Sequence, residues 1–129
     1  MLETGIKGRT ELIVTEQDTA KVYGSGSLMV YATPAMVALM EKTAQDSLAP
    51  YLEAGQGTVG ISVNIKHTSA TPVGMKVYCE SILTKVDGRA LTFEVKAYDQ
   101  AGLIGEGLHE RFVIVEEKFQ VKTDEKLKN

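Results

Sequence analysis

The chain has 129 residues, 43% hydrophobic and 24% charged, a size and balance that suit one globular domain with one core. Lys plus Arg number 14 against 17 Asp plus Glu, a net charge of −3, which excludes the broad basic face a general nucleic-acid binder needs. The single cysteine, Cys79, excludes an intrachain disulfide and points to a cytoplasmic rather than a secreted setting. The opening MLETGIKGRT lacks the apolar core of a signal peptide, and no apolar run approaches the length needed to cross a membrane.

In chain order, residues 8–14, with Leu12, Ile13 and Val14, predict a first strand. Asp18 and Thr19 predict a turn, and residues 20–23 a short returning strand. GSGS at 24–27 is a flexible stretch of the kind that borders binding sites. A long helix follows. Thr33 suits its N-cap and Pro34 its first helical position, where a missing N–H costs nothing. At 100° per residue, Met36, Val37, Leu39, Met40 and Ala44 gather on one face, with Lys42, Gln45 and Asp46 opposite. Pro50 should end the helix near Leu48, and EAGQG at 53–57 reads as a loop.

Beyond residue 57 the period changes to two. Val59, Ile61, Val63 and Ile65 alternate with polar or small residues, a strand with one buried face. Residues 75–86 predict a second strand, and Asp87-Gly88 a hairpin turn into Leu91, Phe93, Val95 and Ala97. A turn at 99–102 leads to a last strand over 103–115, so three long strands form an antiparallel meander. The charged tail, from about 116 to 129, should fray after Phe119. Residues 1–129 thus predict a single α+β domain without internal repeats. One helix cannot cover both faces of a sheet, so the antiparallel sheet should wrap around it and leave its outer face and edges to a second copy.

The polar residues near that helix carry whatever chemistry the chain has. Glu41 falls about 40° from Val37 and about 20° from Leu48 on the helical wheel, on the flank of the buried stripe. Taken alone, it is a boundary glutamate that reaches solvent or pairs with a lysine. His67 continues the row Val59, Ile61, Val63, Ile65 and ends its strand just before the polar turn Thr68–Pro72, where a side chain can reach a cleft. A core histidine and a proton shuttle are equally served by that position. Thr33 has a structural use as a cap, and a capping hydroxyl also stands beside free N–H groups that favour negative charge. Gly60 interrupts a β-branched run, as either a bulge or a close approach of backbone to ligand. His109 and Arg111 share one face of the last strand and read as a solvated polar end, although Arg111 could hold an anion. Two histidines without HxH or HExxH spacing give no metal site, and Cys79 reads as a small buried hydrophobe.

Five stretches resemble a known family: TPAMVALMEKTA (33–44), APYLEAGQGTVG (49–60), IKHTSATPVGMKV (65–77), VDGRALTFEVKAYD (86–99) and GEGLHERFVI (105–114). They are similar to the fluoroacetyl-CoA thioesterase-like branch of the hotdog-fold thioesterases, in which a sheet wraps one long helix and two copies join their sheets. The resemblance implies a catalytic threonine, glutamate and histidine at Thr33, Glu41 and His67. It places a glycine near the thioester carbonyl at Gly60 and the family's final-strand arginine at Arg111. It further implies hydrolysis of an acyl-CoA to free acid and CoA, without a separate cofactor, at the interface of a homodimer or higher oligomer. One departure stands out. The fluoroacetyl-specific enzyme carries bulky aromatics shortly before its threonine, where this chain has Gly24, Ser25, Gly26 and Ser27.

Two other readings compete with hydrolysis. A non-catalytic acyl-CoA binding or sensing module would use the same fold, since fold does not fix function. A hotdog hydratase would need an aspartate and a histidine close together in a loop–helix segment, and no such pair surrounds His67 or His109.

Overall fold

The computed structural model describes residues 2–128; Met1 and Asn129 lie outside the described residues. Five strands make one antiparallel sheet: β1 (Lys7–Ile13), β2 (Gln56–His67), β3 (Lys76–Asp87), β4 (Ala90–Asp99) and β5 (Gly102–Val115), in the order β1-β3-β4-β5-β2. The expected meander is β3-β4-β5, and β1 and β2 add to its two sides. The long helix, α2 (Thr33–Leu48), lies across the concave face. It buries Ala35, Met36, Leu39, Met40, Ala44 and Leu48 against Val77, Leu83, Leu91, Phe93 and Val95 of the sheet. Each fully buried aliphatic side chain in this layer contributes about 1.5–3 kcal/mol of burial.

The helix passes close over the sheet at Gly8. A Cβ there would fall 2.7 Å from the Thr43 carbonyl oxygen and 2.8 Å from both Ser47 Cβ and Ser81 Oγ. The absence of a side chain is what lets β1 pass under α2. Cys79 is fully buried, and burial pushes its thiol up to about 11, so it is a packing group rather than a nucleophile.

Several local expectations are corrected. Residues 20–23 form a single helical turn, α1 (Ala20–Tyr23), not a strand, because the Thr19 hydroxyl accepts from the Val22 N–H and Gly24 caps the other end. The strand β2 starts at Gln56, inside the predicted loop, since the pairing with β5 reaches back to Val115. Its register shifts between Gly60 and Ser62, and this bulge turns Ile61 outward to 57% exposure. The tail does not fray after Phe119. It continues as α3 (Glu116–Asp124) and a 3-10 turn over Glu125–Lys128, with its residues exposed.

β2 is an edge strand of twelve residues, paired on one side only. Ile61, Leu108 and Phe112 lie exposed on β2 and its neighbour β5. Among the described residues, no helix is long and apolar enough to cross a membrane.

Candidate active site

The predicted residues are gathered into two centres. The first lies at the start of α2. Ala32, not Thr33, is the N-cap, and it offers no side-chain cap; Thr33 is the first helical residue and Pro34 the second. The Thr33 hydroxyl is therefore not used for capping. It lies 2.8 Å from His67 Nδ1, at the last residue of β2. Burial lowers the His67 pKa from 6.5, so the ring is neutral at neutral pH. Its Nε2 is enclosed and has no hydrogen-bond partner among the described residues. Thr33 and His67 line a cavity of about 280 Å³ together with Ser25, Val30, Tyr31 and Thr68.

A buried pair fixes the loop that carries this centre. Thr71 donates to Asp99 Oδ2 at 2.7 Å, while Asp99 Oδ1 accepts the Ala101 and Gly102 N–H groups of the β4–β5 turn. The Thr71 carbonyl in turn accepts the Tyr31 N–H, two residues before Thr33. Sequence reading passed over both residues, because turn-type Thr and Asp carry no chemical signature of their own.

The second centre lies two turns further along α2. Glu41, with its side chain 42% exposed, brings Oε2 to 3.7 Å from Arg111 Nη1. Gly60 makes room for it, since a Cβ on Gly60 would sit 2.5 Å from that same oxygen. Gly60 borders the bulge, and its missing side chain lets the Glu41 carboxylate approach the backbone.

The solvated strand end expected of His109 and Arg111 is corrected. His109 is fully buried and Arg111 is 3% exposed, because alternation along β5 points both toward the helix. Their polar groups are satisfied there, as buried polar atoms must be. Arg111 donates from Nε to Thr58 Oγ1 at 2.8 Å, from Nη2 to the Thr58 carbonyl at 2.9 Å and to Gln45 Oε1 at 3.4 Å. Nη1 donates to His109 Nε2 at 3.2 Å. Thr58 and Gln45 were invisible to sequence reading; only the shared face of His109 and Arg111 hinted at the cluster.

Glu41 does not join Thr33 and His67 within one protomer. Eight helical residues separate Thr33 from Glu41, about 12 Å along the axis. Gly60 and His67 are seven residues apart on β2, about 20 Å. Among the described residues, no three His, Cys, Asp or Glu side chains are grouped as metal ligands.

Comparison with known proteins decides the family. The profile of the fluoroacetyl-CoA-specific thioesterases matches residues 14–117. The fluoroacetyl-CoA thioesterase of Streptantibioticus cattleyicolor is 45% identical over 97 residues, 75% of this chain and 70% of that protein. The chain belongs to this family. It is a hotdog-fold thioester hydrolase. A solved structure of the fluoroacetyl-CoA thioesterase superposes with a TM-score of 0.91 at 36% identity, covering 98% of each chain. A Thermus thermophilus member of the thioesterase superfamily superposes at 0.90 and 29% identity, over 99% of this chain and 94% of that one.

Proposed function

We propose that the chain hydrolyses an acyl-CoA thioester to free acid and CoA, with Glu41 as the reacting carboxylate, at a site shared by two protomers. The observation that carries this reading is the placement of Glu41. Its carboxylate is held against the Gly60 backbone by a buried, permanently charged arginine, yet its side chain stays open to a substrate.

Thioester hydrolysis needs an attacking oxygen, a place for the developing oxyanion and a proton for the leaving thiolate. Glu41 attacks the carbonyl carbon or activates the water that does so. The Gly60 N–H receives the carbonyl oxygen as the C–O bond forms. When water attacks, Glu41 takes its proton, and neutral His67 relays that proton to sulfur as the C–S bond breaks. When Glu41 attacks, water then cleaves the acyl-glutamate anhydride, and His67 takes the water's proton and passes it to the released thiolate. Thr33 orients the ring through Nδ1 in both cases.

The separation of the two centres supports a homodimer. β2 has a free edge, and two such edges pair antiparallel about a two-fold axis. With Ile61 bulged out of the register, a two-fold at Asn64 sets Val63 against the partner's Ile65 and lays His67 of one protomer opposite the partner's Gly60. The unpartnered His67 Nε2 then faces the partner's Glu41, and each dimer holds two complete sites.

For the acyl group, the Gly24–Ser27 stretch contributes only the small Ser25 to the cavity beside Thr33 and His67, so that side of the cavity carries no bulky aromatic. This supports a wider acyl range than fluoroacetyl alone. The test is thiol release across short, branched, aromatic and long acyl-CoAs, run beside Glu41→Gln. Turnover of at least one class, abolished in the variant, supports the proposal. Stoichiometric CoA binding without thiol release, over the whole panel, would instead identify a binding or sensing module.

A further inference from the structure

The polar atoms of His109 form a chain that ends at the proposed reacting carboxylate. Arg111 has only donors to offer, so the His109 Nε2 that faces Nη1 at 3.2 Å must be an acceptor. The proton therefore sits on Nδ1, which donates to the Ser62 carbonyl at 2.8 Å. That carbonyl belongs to the β2 bulge, which spans Gly60 to Ser62. The ring is also held by Phe93, stacked at 6.1 Å between centroids. One neutral imidazole thus ties the bulge of β2 to the guanidinium on β5.

The guanidinium has little freedom left. Nε and Nη2 are spent on Thr58 and Gln45, and Nη1 is the arm that reaches both His109 and Glu41. At 3.7 Å the Arg111–Glu41 contact is an ion pair rather than a close hydrogen bond, so its geometry depends on what else holds Nη1.

We infer that His109 is a positioning residue: by accepting from Arg111 Nη1 and donating to the Ser62 carbonyl, it aims the arginine at Glu41 and holds the bulge that seats Gly60. Its two hydrogen bonds explain why a histidine stands where a core strand would take an aliphatic residue. Leucine would fill the volume but leave Arg111 Nη1 with one partner fewer and the Ser62 carbonyl without its donor. The inference rests on the proposed role of Glu41, and its test is built so that the two fail separately.

The experiment compares His109→Leu, His109→Gln, Arg111→Met and the double variant His109→Leu/Arg111→Met. Readouts are kcat and KM for thiol release, with a thermal melt for each protein. His109→Leu should lower kcat by about 10-fold or more with KM changed less than about threefold. His109→Gln, whose amide keeps an acceptor toward Arg111, should recover most of that loss. In the Arg111→Met background, His109→Leu should cost clearly less than it does in wild type, since the part of its effect that passes through the arginine is already lost and only its hold on the bulge remains. A His109→Leu enzyme within twofold of wild type overturns the inference, as does a cost that multiplies with that of Arg111→Met. Equal losses in His109→Leu and His109→Gln at equal melting temperatures would also overturn it. If His109→Leu fails to fold, the comparison of His109→Gln with wild type and with Arg111→Met decides the matter. An unimpaired Glu41→Gln enzyme removes the Glu41 reading itself; an inactive one beside a fully active His109→Leu removes only this inference.

Discussion

Replacing Gly60 by alanine adds one methyl group to the strand that faces the helix carboxylate. Its Cβ would lie 2.5 Å from Glu41 Oε2, but 3.5 Å from both Arg111 Nη1 and His109 Cε1. The latter two distances are ordinary van der Waals contact, so the carboxylate alone has to yield. Restoring even a 3.4 Å separation moves the oxygen by about 1 Å. A misplacement of that size costs on the order of 100-fold in rate when the displaced group is the reacting one. The fold should barely register the change. Glu41 is the far end of a flexible, half-exposed side chain, and Gly60 does not have a positive φ, so alanine fits its backbone. Stability should change by less than about 1 kcal/mol, a few degrees in melting temperature. Gly57→Ala supplies the control on the same strand, because the three atoms nearest its Cβ all belong to the exposed Glu116 side chain. The assay is thiol release from the best acyl-CoA in the panel, with a thermal melt for each variant. A Gly60→Ala enzyme with kcat within threefold of wild type would refute the placement of Glu41 as the reacting group.

Three further outcomes follow from the same geometry. Burial lowers both His67 and His109 from 6.5, so the unfolded chain takes up protons first as the pH falls. The stability they contribute is complete above 6.5 and is lost as pH drops toward their folded-state values; melting temperature should therefore fall on acidification, less steeply in His67→Asn, and a rise would contradict the burial. Ser25→Phe should narrow the cavity beside Thr33 and His67, lowering kcat/KM for branched and long acyl groups by about 10-fold relative to acetyl; an unchanged ratio in the thiol-release panel would show that this segment does not border the acyl group. Gly8→Ala should lose about 1–3 kcal/mol in urea unfolding, because its Cβ meets the Thr43 carbonyl and Ser47 Cβ of the helix rather than a movable chain end. A neutral result would mean that α2 sits less firmly on β1 than these distances require.

The sequence made the frame legible because its periods are unmixed. Met36, Leu39, Met40 and Ala44 repeat as a helix, and Leu91, Phe93, Val95 and Ala97 as a strand, so α2 and the β3-β4-β5 meander follow directly. Residues 20–23 failed because four residues carry no period, and a capped turn formed by Thr19 and Gly24 outweighs their strand propensity. Thr33 was read one position out, as the cap, since Thr before Pro fits either place; only the partner, His67, distinguishes them. The larger gap was His109 and Arg111. A charged pair on a strand reads as solvated until one knows that Thr58, Gln45 and Ser62 converge to satisfy it, and those partners lie between 47 and 66 residues away. Long-range satisfaction of polar groups leaves no local pattern to read.

In the proposed dimer, each site draws Glu41 from one protomer and Thr33 with His67 from the other. Glu41→Gln and His67→Ala chains carrying different tags, co-expressed and purified through both tags, give mixed dimers of known composition. Each parent variant alone should be inactive. The mixed dimer should regain about half of wild-type thiol release, because one of its two sites is intact. A mixed dimer as inactive as its parents would contradict the shared site and place the chemistry within a single chain.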